Sequence, residues 1–271
     1  MCRHIAYLGP ARTLADLLLD KEHALLKQSW APCDMRGGGT VNADGFGAGW
    51  YPADGGQPLR YRRSVPMWTD ANFTGLAGAV SSTAVLAAIR SATVGMPITE
   101  MACAPFTWDK WLFSHNGRIT GWPDSVAGPA AGLPVTDLLT MDAPTDSALL
   151  WALLRHRLSN GEAPAAALAG VVSEVAALAP GSRLNLLLTD GETVLGTAWD
   201  HALSVLPGTG EVVVASEPWD DDPGWQAVPD RHLVLATRFG VRMHNLSADL
   251  AADLAADLTD DLATPETRTT S

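Results

Sequence analysis

The sequence is short of cysteine, of positive charge and of long apolar runs, and each shortage excludes a class of protein. Only three cysteines occur in 271 residues, Cys2, Cys33 and Cys103, with no Cys-x-x-Cys spacing. An odd, scattered set excludes a disulfide scaffold and argues against a structural zinc site. The thiols are therefore expected to be reduced, in the cytoplasm. Lys plus Arg number 18 against 30 Asp plus Glu, a formal charge of −12. That balance lacks the basic face a phosphate backbone requires and disfavours an anionic membrane surface. It suits a cationic small molecule. No apolar run reaches the roughly 18 residues of a membrane-spanning helix, and the residues after Met1 lack the apolar stretch of a secretory signal. No Gly-x-Gly-x-x-Gly follows a strand pattern, so no dinucleotide site is expected. No metal or cofactor is called for.

What is present is an ordinary globular composition, 47% hydrophobic and 18% charged, in a chain long enough to bury a core without staples. Cys2–Leu8 reads as a strand that starts almost at the terminus. Thr13–Gln28 has leucines at helical spacing, and a Gly-rich loop follows around Gly37, Gly38 and Gly39. Asp44–Tyr51 and Leu59–Arg63 read as strands, and Asp70–Val80 as a helix capped by Asp70. Val85–Arg90 and Trp111–His115 are short apolar runs that suit buried strands. Thr93–Trp108, broken by Pro97 and Pro105, suits neither element. Helices are expected over Thr145–Leu158 and Ala163–Leu178, then strands over Leu184–Leu188, Thr193–Trp199, Glu211–Ala215 and His232–Ala236. Strands at both ends with helices between them predict an α+β fold, two sheets with helices outside.

Cys2 is the residue with the most chemistry. Removal of Met1 would leave it a free α-amine, whose ordinary pKa of about 7.7–8.0 lies far below that of lysine. Such an amine takes the proton from its own thiol, so nucleophile and base come from one residue. Ser114-His115-Asn116-Gly117 follows a buried run. The Asn116 amide and the Gly117 N–H are a sound pair of donors for the oxyanion of an amide-cleaving thiol, although an Asn-Gly hairpin turn fits the same residues. Arg90 ends another buried run, where it could clamp a carboxylate in bidentate fashion or form a structural ion pair. Asp146, at a helix start, could cap that helix or hold an ammonium. Together the four features fit the γ-amide of a glutamyl group.

In this order, Met-Cys-Arg-His, Asp-Gly-Phe-Gly-Ala-Gly-Trp, Arg-Ser-Ala-Thr, Ser-His-Asn-Gly and Thr-Asp-Ser resemble a class II glutamine amidotransferase domain. More narrowly, the opening Met-Cys-Arg-His-Ile-Ala-Tyr-Leu-Gly, with Ala-Ile-Arg-Ser-Ala-Thr-Val-Gly-Met-Pro-Ile and Ala-Ser-Glu-Pro-Trp-Asp-Asp-Asp-Pro-Gly-Trp, is similar to the γ-glutamyl hydrolases of ergothioneine biosynthesis. The likeness runs from Met1 to about Arg242. It implies a four-layer αββα sandwich of the N-terminal-nucleophile hydrolase type over residues 2–245. It implies Cys2 as nucleophile, Asn116 and Gly117 as oxyanion donors, Arg90 as carboxylate clamp and Asp146 as ammonium clamp, with Asp44–Gly49 lining the pocket. The implied reaction is hydrolysis of γ-glutamyl-hercynylcysteine sulfoxide to glutamate and hercynylcysteine sulfoxide.

The hercynyl half carries a trimethylated amine, a cation without N–H donors that aromatic faces and carboxylates bind best. Ten tryptophans against five phenylalanines is an unusual ratio. Trp219 and Trp225, with Asp220, Asp221 and Asp222 between them, are the expected box, though ordinary packing explains any single tryptophan. Cys33 and Cys103 read as non-catalytic and His4 as a packed histidine. Leu246, Leu250, Leu254, Leu258 and Leu262 recur every four residues in an acidic tail, 246–271, expected to be partly helical or disordered. A homo-oligomer is left open. Two other functions fit the same residues: a glutaminase subunit that hands ammonia to a separate synthase, and a non-catalytic γ-glutamyl or betaine binding module.

Overall fold

The computed structural model describes residues 2–35 and 41–246. The glycines at 37–39 and the tail leucines from Leu250 onward lie outside the described residues. In chain order the strands are β1 (Arg3–Thr13), β2 (Phe46–Trp50), β3 (Leu59–Arg63), β4 (Ser81–Ile89), β5 (Phe106–Trp108), β6 (Trp111–Arg118), β7 (Arg183–Thr189), β8 (Val194–Ala198), β9 (Ser204–Gly208), β10 (Glu211–Ala215), β11 (Gln226–Ala227), β12 (His232–Thr237) and β13 (Gly240–Asn245). The helices are α1 (Leu14–Leu18), α2 (Leu25–Gln28), α3 (Ala71–Ala79), α4 (Ala127–Ala131), α5 (Val135–Leu139), α6 (Asp146–Ser159) and α7 (Pro164–Leu178).

Among the described residues the strands form two sheets, β11-β9-β10-β1-β4-β2-β3 and β13-β12-β8-β7-β6-β5. Alternation along β1 sorts the layers. Ile5 and Tyr7 join Leu14, Leu17, Leu18 and Phe73 in a core under α1 and α3. Ala6 and Leu8 point the other way, against Leu112 and Leu187 of the second sheet. On β7, Leu184, Leu186 and Leu188 face α6 and α7. The result is helix, sheet, sheet, helix, as expected. Each fully buried leucine in these layers contributes about 1.5–3 kcal/mol over exposure.

Local chemistry explains several boundaries. Asp70 caps α3, its carboxylate accepting from the N–H groups of Asn72 and Phe73. Thr145 caps α6 through its hydroxyl, which accepts from the Ala148 N–H; such a cap contributes about 1 kcal/mol. Pro164 opens α7, where its missing N–H costs nothing. The long helix expected over Thr13–Gln28 is instead two short pieces. The His23 N–H donates to the carbonyl of Trp219 at 2.8 Å, so a tertiary bond takes a donor that a continuous helix would use. The expected breaks near Pro97 and Pro105 hold a short strand, β5, paired with β6. The alternative of an Asn-Gly hairpin turn is overturned: Asn116 and Gly117 lie inside β6, paired with Asn185 and Leu184 of β7.

Candidate active site

Cys2 sits one residue ahead of the ladder, which begins at Arg3 opposite Ile89. Its half-buried thiol points toward the Ser91 carbonyl, with sulfur 3.7 Å from that oxygen. The thiol lines a narrow cavity of about 20 Å³ with Arg90, Cys103, His115 and Ser147, room for roughly one water. The chain at Arg90 is held from both sides: its N–H donates to the Gly45 carbonyl at 2.7 Å, and its carbonyl accepts from the Asp44 N–H at 3.0 Å. The Asp44 carboxylate then accepts from the Ala92 N–H at 2.8 Å. Gly45 has φ +134°, and a Cβ there would lie 2.4 Å from the Cys103 sulfur. Only glycine fits that corner. The guanidinium of Arg90 donates to the Pro97 carbonyl at 2.9 Å.

β6 supplies the next wall. Asn116 is fully buried, and its Nδ2 donates to Ser216 Oγ at 2.9 Å. Its Oδ1 is buried without a partner among the described residues. Gly117 admits no side chain, since a Cβ would lie 1.8 Å from the Arg183 carbonyl oxygen. His115 is buried, and burial pushes its pKa below the ordinary value, the Arg183 charge adding to that and Asp146 opposing it. In the neutral ring Nε2–H donates to the Arg183 carbonyl at 3.0 Å, because a carbonyl can only accept. Nδ1 is then the acceptor for the Ser147 hydroxyl at 2.9 Å. His4, behind Cys2 on β1, contacts Ser114 Oγ through Nδ1 at 3.2 Å. Burial, reinforced by the charges of His115, His201 and Arg3, holds its pKa well below normal.

Asp146 opens α6 and is buried. Its carboxylate accepts from the Ile119 N–H at 3.0 Å and the Ser147 N–H at 2.7 Å. While Ser147 lines the small cavity, Asp146 lines a neighbouring cleft of about 480 Å³ with Thr93, Met96, Arg118 and Trp122. A third opening of about 680 Å³ is lined by Asp34, Met35, His201, Ser216 and Glu217 among others. Ser216 is the partition between that opening and Asn116, because its hydroxyl accepts from Asn116 Nδ2 and from the His4 N–H.

The structure therefore gathers Cys2 and Arg90 around one cavity and places Asn116, Gly117 and Asp146 on the strand and helix that wall it. Trp219 and Trp225 are not gathered there. They pack against each other edge to face, centroids 6.2 Å apart. Trp219 is 4% exposed within the outer core, and the Lys21 ammonium lies 5.3 Å over its ring. The Trp225 indole N–H donates to Asp220 at 2.9 Å. An expected aromatic box needs an open face, and Lys21 already covers that of Trp219. The expectation that Cys103 is non-catalytic fits its surroundings: the buried thiol donates to the carbonyls of Arg63 and Thr99, and burial pushes its pKa up to about 11.

Sequence reasoning missed Arg3, Ser216 and Glu217. The Arg3 side chain is 1% exposed and pairs with Glu217 at 3.5 Å. Strand alternation at Cys2-Arg3-His4 is the signal that could have found Arg3, since it turns a guanidinium into the core face.

The model of the class-II glutamine amidotransferases matches residues 19–207 of the chain. The chain belongs to the class II glutamine amidotransferases. Among its curated relatives in this family, the γ-glutamyl-hercynylcysteine sulfoxide hydrolase of Mycolicibacterium smegmatis is 46% identical over 86% of this chain and 95% of its own. The hydrolase of the same name from Mycobacterium tuberculosis is 42% identical over 90% and 96%. Solved structures agree on the amidotransferase fold. A class-II glutamine aminotransferase domain protein of Silicibacter pomeroyi superposes with a TM-score of 0.65 at 22% identity, covering 91% of this chain and all of that one. Glutamine phosphoribosylpyrophosphate amidotransferase of B. subtilis superposes with the same TM-score at 13% identity, over 91% of this chain and 50% of its own. In this amidotransferase Cys2 directly precedes the first strand, and an N-terminal cysteine nucleophile is typical of the family. No helix of the described residues is long and apolar enough to cross a membrane.

Proposed function

We propose that this amidotransferase hydrolyses the γ-glutamyl amide of γ-glutamyl-hercynylcysteine sulfoxide, releasing glutamate and hercynylcysteine sulfoxide. The observation that carries the reading is the convergence of Cys2, Arg90, His115 and Ser147 on one cavity, with Asp146 in the adjoining cleft, in a chain 42–46% identical to hydrolases of that name.

With Met1 removed, the α-amine of Cys2 accepts the thiol proton, and the thiolate attacks the γ-carbonyl carbon. The carbonyl electron pair moves to oxygen, where the Asn116 amide and the Gly117 N–H stabilise the anion. Collapse of the tetrahedral intermediate breaks the C–N bond. The leaving amine takes the proton back from the α-ammonium. Water then adds to the γ-glutamyl thioester, the amine again accepting a proton, and glutamate departs with the thiol restored. Arg90, on the wall of the small cavity, holds the glutamyl α-carboxylate, and Asp146 holds its α-ammonium from the adjoining cleft, whose 480 Å³ suits a small ligand.

The leaving half we assign to the 680 Å³ opening on the other side of Asn116, which Asp34, Asp200 and Asp230 line. Carboxylates attract a permanent cation through charge alone, which is what a trimethylammonium offers. Trp219 and Trp225 then stand behind this wall, since Pro218 and Trp219 follow Glu217 directly. Three free thiols fit a reducing, cytoplasmic setting.

Glutamate release by the Met-processed protein tests the reading, with γ-glutamyl-hercynylcysteine sulfoxide and glutamine compared in parallel. Fast release from the first and little from the second is expected. Equal or faster release from glutamine would overturn the substrate and favour an ammonia-supplying subunit.

A further inference from the structure

The nucleophile stands outside the ladder, and a chain terminus frays unless something ties it down. Once Met1 is gone, Cys2 is covalently joined to the chain through its carbonyl carbon alone, and its thiol reaches only as far as the Ser91 carbonyl at 3.7 Å. The structure holds that carbonyl with a buried cation. Arg3 points away from the sheet interface that Cys2 and His4 face, and its Nη1 donates to the Cys2 carbonyl at 3.0 Å. Its Nη2 donates to the Asp34 carbonyl. Its Nε lies 3.5 Å from the carboxylate of Glu217, whose side chain is 4% exposed. Both oxygens of Glu217 are occupied on the far side, accepting from the Cys33 N–H at 3.1 Å and the Asp34 N–H at 2.9 Å. One buried ion pair therefore ties the nucleophile's main chain, the 33–34 segment and the second residue after β10 into a single knot.

A buried ion pair is a weak source of stability, because desolvation offsets most of its attraction. What this one supplies is geometry and field. The grip on the carbonyl fixes the backbone torsion of residue 2, and with it the directions of the thiol and the amine. The guanidinium is bonded to the carbonyl of the same residue whose amine must be uncharged to act as a base.

We propose that Arg3 is a positioning residue for the reaction, holding Cys2 by its carbonyl, and that the Arg3–Glu217 balance sets how basic the α-amine of Cys2 is. The proposal rests on Cys2 being the nucleophile. Among the described residues, the other charged and titratable groups around Cys2 and Arg3 are His4 of β1, Asp34, Arg90 after β4, Asp44 before β2, Cys103 before β5, His115 of β6 and Arg183 of β7. They are the same in every variant below, so differences between variants report on the pair.

The experiment is the pH profile of kcat/KM for glutamate release from γ-glutamyl-hercynylcysteine sulfoxide, on Met-processed wild type, Glu217→Gln, Arg3→Gln and Arg3→Lys. Glu217→Gln removes a negative charge, destabilises the ammonium and moves the acidic limb about 0.5–1 unit to lower pH. Arg3→Gln removes a positive charge and moves it to higher pH by a similar amount. Opposite movements are expected, and limbs that coincide or move together overturn the proposal. Should Arg3→Gln fail to fold, the Glu217→Gln limb decides alone: a move to lower pH supports the proposal and anything else overturns it. Arg3→Lys keeps the charge without the two-point fork. It is expected to leave the limb in place and to lower kcat about ten- to a hundredfold with KM within about twofold; unchanged kcat overturns the positioning role. Cys2→Ser separates the two failures. If it stays fully active, the nucleophile reading itself falls and takes this proposal with it.

Discussion

Two thiols line the same small cavity, and their surroundings are opposite. Cys2 stands just ahead of a strand, half-buried, its sulfur 3.7 Å from one carbonyl and its main chain gripped by Arg3. Cys103 is fully buried, donates to two carbonyls and is pushed up to about 11 by that burial. Proximity to a pocket does not make a thiol reactive. A base within reach and a path for the substrate do, and in the proposed mechanism position 2 gains its base once Met1 is removed.

The comparison breaks most sharply at Cys2. Cys2→Ala is expected to lower glutamate release on the order of 10⁴-fold or more in a single-turnover assay, with binding largely retained. A variant that kept a tenth of wild-type activity would end the contrast. Asn116→Ala removes an oxyanion donor and is expected to cost about 10²–10³ in kcat, with a smaller change in KM. A change in KM alone would make Asn116 a binding residue only. Asp146→Asn is expected to raise KM about ten- to a hundredfold, measured against a substrate analogue lacking the α-ammonium, on which the variant should lose little.

The histidines behind the cavity sharpen the comparison in another way. Burial holds the pKa of His4 and His115 below the ordinary 6.5 in the folded state. The unfolded chain therefore binds more protons below about pH 6.5, so the stability they contribute is complete above that pH. It is lost as pH falls from 6.5 toward their folded values. Urea midpoints should fall as pH is lowered from 7 to 5, and His4→Asn should flatten that slope. The smallest effect on activity is expected at Cys103: Cys103→Ala should change kcat/KM by less than about threefold. Alkylation followed by peptide mapping should mark Cys2 with loss of activity, mark exposed Cys33 without it, and spare Cys103. Inactivation that tracked Cys33 would invert the comparison.

Much of the frame was legible in the residues. Asp70 and Thr145 announced helix starts because their side chains accept from N–H groups two and three residues on, a local bond. Glu211–Ala215 alternated no more than a buried strand must, and β10 has those same bounds. The strand β9, covered on its outer side only by the two-residue β11, and the edge strand β13 were hidden. Pro207 and Gly208 disguise the first, and Arg242 and His244 the second, because an edge has little to bury. Within the site, Cys2, Arg90, Asn116, Gly117 and Asp146 stood out as chemistry-bearing residues at element ends. Nothing local reveals that Lys21 lies over the ring of Trp219.

The sequence by itself determined the nucleophile's place, the alternation that builds two sheets and the residues able to hold an oxyanion, an ammonium and a carboxylate. Each of these depends on a residue and its near neighbours. Only the tertiary structure decided which of them meet, that Ser216 partitions Asn116 from the acidic opening, and that Arg3 is balanced by Glu217. Those are pairings across the two ends of the chain. A buried charge says that a partner must exist, but only the packing of β1 beside β10 says which one it is.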